Sequence, residues 1–373
     1  MTAASRKIKV LFAIGNLDVG GAQKLLVYQK KTLDTARFEP SLITLFPEKK
    51  DTFADIVAID RCFGFHSTFD IVSFFKLLSY LRRERFDAVV THLFSANLLV
   101  RIAAIIAGVP VILSYEHNIY PDKKAWQIFM DRFLSRWTDR IIVDSEAARI
   151  FTAKQENIPL EKFLLLFIPP LLERHDAKDP LSVRKELQLD QGALVVGTVS
   201  RLIPDKGHRY LIEAAKDVLA RHPKTYFLIV GWGHAEEELR AQVQTLGISD
   251  RVKLTGRMDI QDVLPLFDVY VEPAVSTDLP VALMEAMREG KPIVATRIGD
   301  IPVFVEDGTT GLTVEPADAR GLARAIEKLI TDPGLRASLG GASKKKVAEY
   351  SLENYMRTFE NIVVECLEKK RVA

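Results

Sequence analysis

Short apolar runs rich in Val, Ile and Leu recur along this chain, each followed by an amphipathic stretch, and the series occurs twice. IKVLFAIG (8–15), SLITLF (41–46), DAVVTHL (87–93), VPVILSYEH (109–117), DRIIVDS (139–145) and FLLLFI (163–168) read as strands. Several are apolar almost throughout, the pattern of parallel strands covered on both faces. Helical stretches at 21–34, 70–84, 95–107 and 124–136 lie between them. The pattern restarts with ALVVGTVS (193–200), TYFLIVG (225–231), RVKLTG (251–256), DVYVEP (268–273), PIVAT (292–296) and GLTV (311–314). After the first of these, Leu211, Ile212, Ala215, Val218 and Leu219 fall on one helical face. Strand–helix alternation in both halves predicts an α/β chain with two Rossmann-like, doubly wound domains. The polar, Pro-bounded stretch PPLLERHDAKDP (169–180) reads as the linker, giving an N-terminal domain over 1–172 and a second over 173–350. Ligands of such sheets bind beyond the carboxyl ends of the strands, so the two domains are expected to face a central cleft that holds the substrates.

Size agrees with this division, because 373 residues, 48% of them hydrophobic, suffice for two cores. A net charge of +2 gives no field that argues for nucleic acid. Cys62 and Cys366 make no disulfide framework and no metal spacing, which points to a reducing compartment. The start, MTAASRKIKVLFAIG, reads as a lead into the first strand rather than a signal peptide. No apolar stretch reaches the roughly 20 residues of a membrane span. A soluble, cytoplasmic chain is expected, with a peripheral place on the inner face of the cytoplasmic membrane left open.

The chemistry-bearing residues cluster at strand ends. EPAVSTDLPVALMEAMREGKPIVATRIG (272–299) joins a strand end, a helix opened by Pro280 and carrying Glu285, and a second strand. Pro suits a first helical turn, and the free N–H groups near Val281 form a seat for phosphate. SRLIPDKG (200–207) offers Arg201 as a fork and Lys206 as a point charge for phosphate oxygens, although basic loop residues are often only solvated. Gly20 and Gly21 after the first strand, and Gly231 and Gly233 in GWGHAEEEL, permit close ligand approach or merely a tight turn. His117 ends one strand beside Glu116 and Asn118, and His92 ends another; each could orient a sugar hydroxyl or be a satisfied structural histidine. In YPDKKAWQIFMDRFLSRWTDR (120–140), Trp126, Phe129, Phe133 and Trp137 are mixed with Lys123, Lys124, Arg132, Arg136 and Arg140. The preferred reading makes these aromatics the core face of a helix, with docking on anionic lipid as the alternative. FFKLLSYLRRERF (74–86) has the same two readings. The chain has no Asp-x-Asp, no Gly-x-Ser-x-Gly and no Walker A sequence. That argues against a metal-bound diphosphate held by the first motif, a hydrolase elbow and a P-loop.

DVGGAQ (18–23), EHN (116–118), SRLIPDKG (200–207), VGWG (230–233), TGR (255–257) and LPVALMEAMREGKPIVATRIGDIPVFVEDGTTGL (279–312) together resemble a family 4 glycosyltransferase of the GT-B fold, nearly end to end. The resemblance implies a retaining, metal-independent, hexosyltransferase-type enzyme without a cofactor. It would move a sugar from a nucleotide-diphosphate sugar, UDP favoured over GDP, to a sugar or polyprenyl-linked glycan acceptor in polysaccharide biosynthesis. By the resemblance Arg201 and Lys206 hold the donor diphosphate and take part in catalysis with His117, which lies beside the reacting sugar. Backbone at Leu279, Pro280 and Val281 caps the phosphate, Glu285 holds the ribose, and Gly256 and Arg257 flank the base. Gly20 and Gly21 lie against donor phosphate or acceptor, with Gly231 and Gly233 also on the donor side. His92, His117 and Asn118 face the acceptor. The C-terminal helix (351–373) is expected to pack back on the first domain. The family's paired glutamates stand eight residues apart; Glu285 is the second, but Thr277 occupies the first position, followed by Asp278 where glycine is usual. That departure bears on the donor-sugar contact. It leaves two alternatives: a donor-site remnant that partners another transferase, or a same-fold nucleotide-sugar epimerase or hydrolase.

Overall fold

The computed structural model describes residues 6–18, 20–48, 52–68, 70–117, 119–170, 177–276 and 281–372. The chain divides into two compact units, Met1–Ile168 with Leu352–Ala373, and Pro169–Ser351. In the first unit, β1 (Ile8–Ile14), β2 (Phe38–Thr44), β3 (Arg61–Cys62), β4 (Ala88–His92), β5 (Val111–Glu116), β6 (Arg140–Val143) and β7 (Phe163–Leu165) form one sheet. Its strand order is 3-2-1-4-5-6-7. In the second unit, β8 (Val195–Val199), β9 (Tyr226–Val230), β10 (Val252–Gly256), β11 (Val269–Glu272), β12 (Ile293–Thr296) and β13 (Leu312–Val314) follow the order 10-9-8-11-12-13. All the strand pairs described are parallel. Both orders reverse direction beside their first strand, between β1 and β4 and between β8 and β11. A crevice opens at such a point because the flanking helices leave on opposite faces.

Every residue of β4, β5 and β9 is buried, as expected for strands covered on both faces. The helices begin at local signals: Asp70, Ser145, Asp179 and Asp332 each accept a hydrogen bond from the backbone three residues on. Gly108, at φ 74°, ends the helix Leu93–Ala107 in the left-handed conformation that glycine adopts most easily. The C-terminal helix Leu352–Val372 belongs to the first unit. Phe359, fully buried, stacks on Phe12 of β1 with ring centroids 5.9 Å apart. The Tyr355 hydroxyl lies 2.8 Å from that of Tyr115 on β5.

Three expectations about elements need correction. β2 starts at Phe38, three residues earlier than its apolar run, and includes Pro40. Its neighbour β3, which the sequence pattern did not disclose, pairs only with Ile43 and Thr44. The strand is thus an edge at Pro40, where a missing N–H is tolerated. The third correction concerns the aromatic helix, Ala125–Leu134. Its aromatics are not its core face: Trp126 is 44% exposed, Phe129 63%, Phe133 38% and the following Trp137 44%.

The helix is anchored instead by charge. Asp131, 3% exposed, accepts from Arg101 Nη1 at 3.3 Å and from Lys123 Nζ at 3.0 Å. Lys123 also donates to Glu156 at 2.5 Å and lies 3.8 Å from Glu116. Asn97 fixes Glu116 from the other side with a 3.1 Å hydrogen bond. Three carboxylates thus share two cations in a buried place, so one negative charge is left over. Burial, together with the neighbouring carboxylates, pushes Glu156 well up and Glu116 up as well, so the cluster retains a proton near neutrality. An acid whose pKa is raised on folding contributes stability below its unfolded value, and this is lost as pH rises through the folded one. Raising the pH from 5 to 9 should therefore destabilise the chain. Glu156→Gln should reduce that loss by at least the equivalent of one pKa unit, about 1.4 kcal/mol, in urea unfolding at the two pH values. Identical pH dependence in the variant would show that Glu156 does not hold the proton.

Candidate active site

In the second unit the loop after β8 is tied to its neighbours through backbone. Ser200 N donates to Val230 O at 3.0 Å, Leu202 N to Trp232 O at 2.9 Å, and Ala235 N to Leu202 O at 3.0 Å. These contacts leave no room for side chains at two places. A Cβ on Gly231, whose φ is +148°, would lie 1.8 Å from Ser200 O, and one on Gly233 would lie 2.2 Å from Leu202 O. The second half of the loop, Asp205–Gly207, is bound to the segment after β11. Val275 N and Ser276 N both donate to Asp205 O, at 2.9 and 3.2 Å. A Cβ on Gly207 (φ +66°) would meet Pro273 O at 1.9 Å. Two cations are held by this framework, Arg201 exposed and Lys206 half-buried.

His208 secures the same loop from beneath. It is 1% exposed, with Nε2 3.2 Å from Arg201 O and 3.0 Å from Ser200 Oγ. Burial above all, with the Lys206 charge added, lowers its pKa to about 4. The neutral ring therefore donates Nε2–H to the Arg201 carbonyl, and the loop gains a hydrogen bond without a further buried charge. Beyond the loop, the Arg257 guanidinium lies over the Trp232 ring, 5.0 Å from its centroid, and Trp232 remains 53% exposed. An aromatic face held between two obligatory glycines is a rigid platform for a planar or cationic group.

Glu272 ends β11 and is fully buried. Its Oε2 lies 3.4 Å from the Tyr270 hydroxyl, and its Oε1 has no hydrogen-bond partner among the described residues. Burial outweighs the nearby Lys206 charge and pushes the carboxyl up to about 7. The helix Val281–Arg288 follows, with Glu285 4% exposed on its buried side.

In the first unit β1 and β4 end in register, Ile14 opposite His92. Gly20 is extended (φ −171°), and the helix Gly21–Thr32 starts with neither a side-chain cap nor an acid in its first turn. Neither glycine is needed for a left-handed turn. A Cβ on Gly21 would have nothing within 4 Å, while one on Gly20 would lie 2.5 Å from Gln23 Oε1, whose side chain lies against this helix start. His92 and His117 are buried and joined, Nδ1 to Nε2, at 3.0 Å. His117 Nδ1 lies 3.6 Å from Asp144 Oδ2. The Tyr115 ring stacks on His92 at 4.4 Å, and its hydroxyl meets Gln29 Nε2 at 2.8 Å as well as Tyr355. Burial, then the neighbouring His117, lowers His92 well below the usual range, so His92 is neutral. If His117 directs Nδ1–H toward Asp144, its Nε2 accepts from His92. Nε2 of His117 is then engaged by His92, whereas Nδ1, 3.6 Å from Asp144 Oδ2, has no hydrogen-bond partner among the described residues. Leu93, directly after His92, is held at φ 65°, an uncommon conformation for a branched side chain.

Among the residues named from sequence, Arg201, Lys206, Gly231, Gly233, Gly256 and Arg257 share the carboxyl edge of the second sheet with Val281 and Glu285. Gly20, Gly21, His92 and His117 share that of the first. Asn118, Thr277, Asp278, Leu279 and Pro280 lie outside the described residues. Sequence reasoning missed Glu272, Trp232 and His208, as well as the Gln29–Tyr115–Tyr355 cluster. The signal for Glu272 was present, an acid ending an otherwise apolar strand, and Trp232 stood between the two glycines that were singled out. Among the described residues no group of three or more His, Cys, Asp or Glu is placed to hold a metal ion.

Residues 181–346 match the family described as glycosyl transferases group 1, and residues 19–163 match glycosyltransferase family 4. The chain is 24% identical, over 99% of its length and 100% of the relative's, to the UDP-Gal:alpha-D-GlcNAc-diphosphoundecaprenol alpha-1,3-galactosyltransferase of Escherichia coli. It is 29% identical to the alpha-D-kanosaminyltransferase of Streptomyces kanamyceticus over 66% of this chain and 68% of that one. Among solved structures, HepE of Anabaena in complex with UDP covers 96% of this chain and 100% of its own, with a TM-score of 0.80 at 21% identity.

Proposed function

The chain belongs to glycosyltransferase family 4, and on that basis we propose that it transfers a sugar, with retention, from a UDP-sugar to a lipid-linked glycan acceptor at a membrane surface. The observation that carries the donor half is the cationic edge of the second unit. Arg201 and Lys206 are fixed by the backbone contacts after β8 and stand with the N-terminal end of the helix Val281–Arg288. Charge of this kind acts where negative charge grows as the sugar C1–O bond to the diphosphate breaks. Glu285 is read as the ribose ligand, Gly256 and Arg257 as flanking the base, and Gly20 and Gly21 as facing phosphate or acceptor. Thr277 and Asp278 take the donor-sugar position. In the transfer, the acceptor oxygen forms its bond to C1 on the face the diphosphate leaves, and its proton passes to a phosphate oxygen. His117, held by His92, positions the sugar hydroxyls. The reaction is read as needing no metal, because the protein itself supplies the compensating charge. Uridine is favoured over guanosine because the Escherichia coli relative is named for UDP-Gal and the Anabaena structure holds UDP.

The acceptor half rests on the exposed aromatics of the first unit. Trp126, Phe129, Phe133 and Trp137 are exposed beside Lys124, Arg132 and Arg136, also exposed. The helix Ile71–Glu84 adds Ile71, Val72 and Phe75, at 68%, 65% and 61% exposure. Both helices pack on the helix Leu93–Ala107. Apolar and basic side chains exposed together suit an anionic lipid surface, with about 1 kcal/mol for each basic residue near it. No helix of the described residues is long and apolar enough to cross a membrane. The Escherichia coli relative's name specifies a diphosphoundecaprenol-linked acceptor, which fits docking of this kind.

Arg201→Ala should lower kcat/KM for the preferred donor by about 100-fold or more, the usual loss of a group that stabilises charge in the transition state. An unchanged value would remove Arg201 from the site. The wild-type chain should sediment with vesicles containing phosphatidylglycerol at low salt and be released as salt rises. Phe129→Ser with Arg132→Glu should abolish sedimentation, and the membrane reading fails if the wild type does not bind at low salt.

A further inference from the structure

Glu272 is a buried acid with no place in the reading above, and its surroundings connect it to the phosphate end of the site. It closes β11, and the next residue, Pro273, supports the turn that carries Lys206, at the contact Gly207 makes possible. The backbone bonds from Val275 and Ser276 to Asp205 hold that turn against the strand end. Among the described residues, few groups face the carboxyl. The Lys206 ammonium comes from the loop after β8, and the Tyr270 hydroxyl, 3.4 Å from Oε2, comes from its own strand. The Glu285 carboxylate, from the helix after β11, acts on Tyr270. On the β12 side the neighbouring polar group is Thr296, whose hydroxyl bonds backbone at Ala274 O. Oε1 has no partner among the described residues. An ionised carboxylate with one oxygen unpaired and no exposure has little to stabilise it besides the lysine.

We propose that Glu272 is a positioning residue that acts through Lys206, so that binding a nucleoside diphosphate at this edge is coupled to uptake of a proton by the Glu272 carboxyl. In the empty site burial outweighs the ammonium's pull toward the ionised acid, so the neutral and ionised forms are about equally populated near pH 7. A bound diphosphate neutralises the lysine's field and adds its own negative charge, which moves the balance toward the neutral acid. By linkage, affinity then falls as pH rises through neutrality, because the ionised acid opposes the phosphate. The inference rests on the proposed donor site, and the test separates the two.

The measurement is calorimetric titration with UDP at pH 6.5, 7.5 and 8.5, in buffers of different ionisation enthalpy, on the wild type and Glu272→Gln. If the bound diphosphate raises the acid by one pKa unit, the wild type takes up about 0.5 proton per site at pH 7.5, beyond any uptake by the variant. Near pH 8 the variant should bind UDP about fivefold more tightly than the wild type, while the two converge at acid pH. A structural role alone would weaken the variant at every pH. UDP binding without proton uptake in the wild type, or with equal uptake in both proteins, overturns the role of Glu272 and leaves the donor site standing. Binding of neither UDP nor GDP would remove the donor site, and this inference with it.

Discussion

The backbone contacts between the loop after β8 and the loops after β9 and β11 are what the candidate site depends on. They place Arg201 and Lys206 at fixed points and leave room for carbonyl oxygens only because Gly207, Gly231 and Gly233 have no Cβ. A phosphate-binding loop must hold like charges together before the anion arrives, and side chains alone would let them separate. Here the restraint is main chain on main chain, with His208 kept neutral beneath it. The same framework brings the end of β11, with Glu272, against the turn that carries Lys206. One arrangement of three loops thus positions both the cations of the proposed donor site and the end of β11 that carries Glu272.

Both units repeat one plan, a parallel sheet whose order reverses beside its first strand, yet they use the crevice differently. The second unit lines it with cations and a helix start. The first lines it with an uncapped helix start and a buried, stacked set of His92, His117 and Tyr115, tied by Tyr115 to the C-terminal helix. The first unit thus presents hydrogen-bonding rings at its edge and the second presents cations, and the proposed function reads these as the acceptor side and the donor side.

Much of this could be read from the sequence, and the failures have physical causes. The strands were legible because parallel strands covered on both faces are continuous apolar runs. β3 was not, since two exposed residues carry no such signal. Arg201 and Lys206 were legible as basic residues at a strand's carboxyl end. Glu272 was passed over because its significance depends on what packs above it. The helix of Trp126, Phe129 and Phe133 was misread for a related reason: aromatics at helical spacing usually face a core. The inward side here is instead Asp131, held by Arg101 and Lys123 in a buried ion cluster. The partners of Asp131 lie 30 and 8 residues away in the chain, so a local pattern could not reveal them.

The central claim is that the edge of the second sheet, through Arg201 and Lys206, binds a nucleoside diphosphate. Thermal denaturation with and without UDP tests it most directly, comparing the wild type with a chain carrying both Arg201→Ala and Lys206→Ala. At a concentration about 100-fold above Kd, UDP should raise the wild-type Tm by an amount of order 5 °C, since binding then contributes about 2.7 kcal/mol. The variant should show no shift. Equal stabilisation of both proteins would place the nucleotide elsewhere and contradict the account.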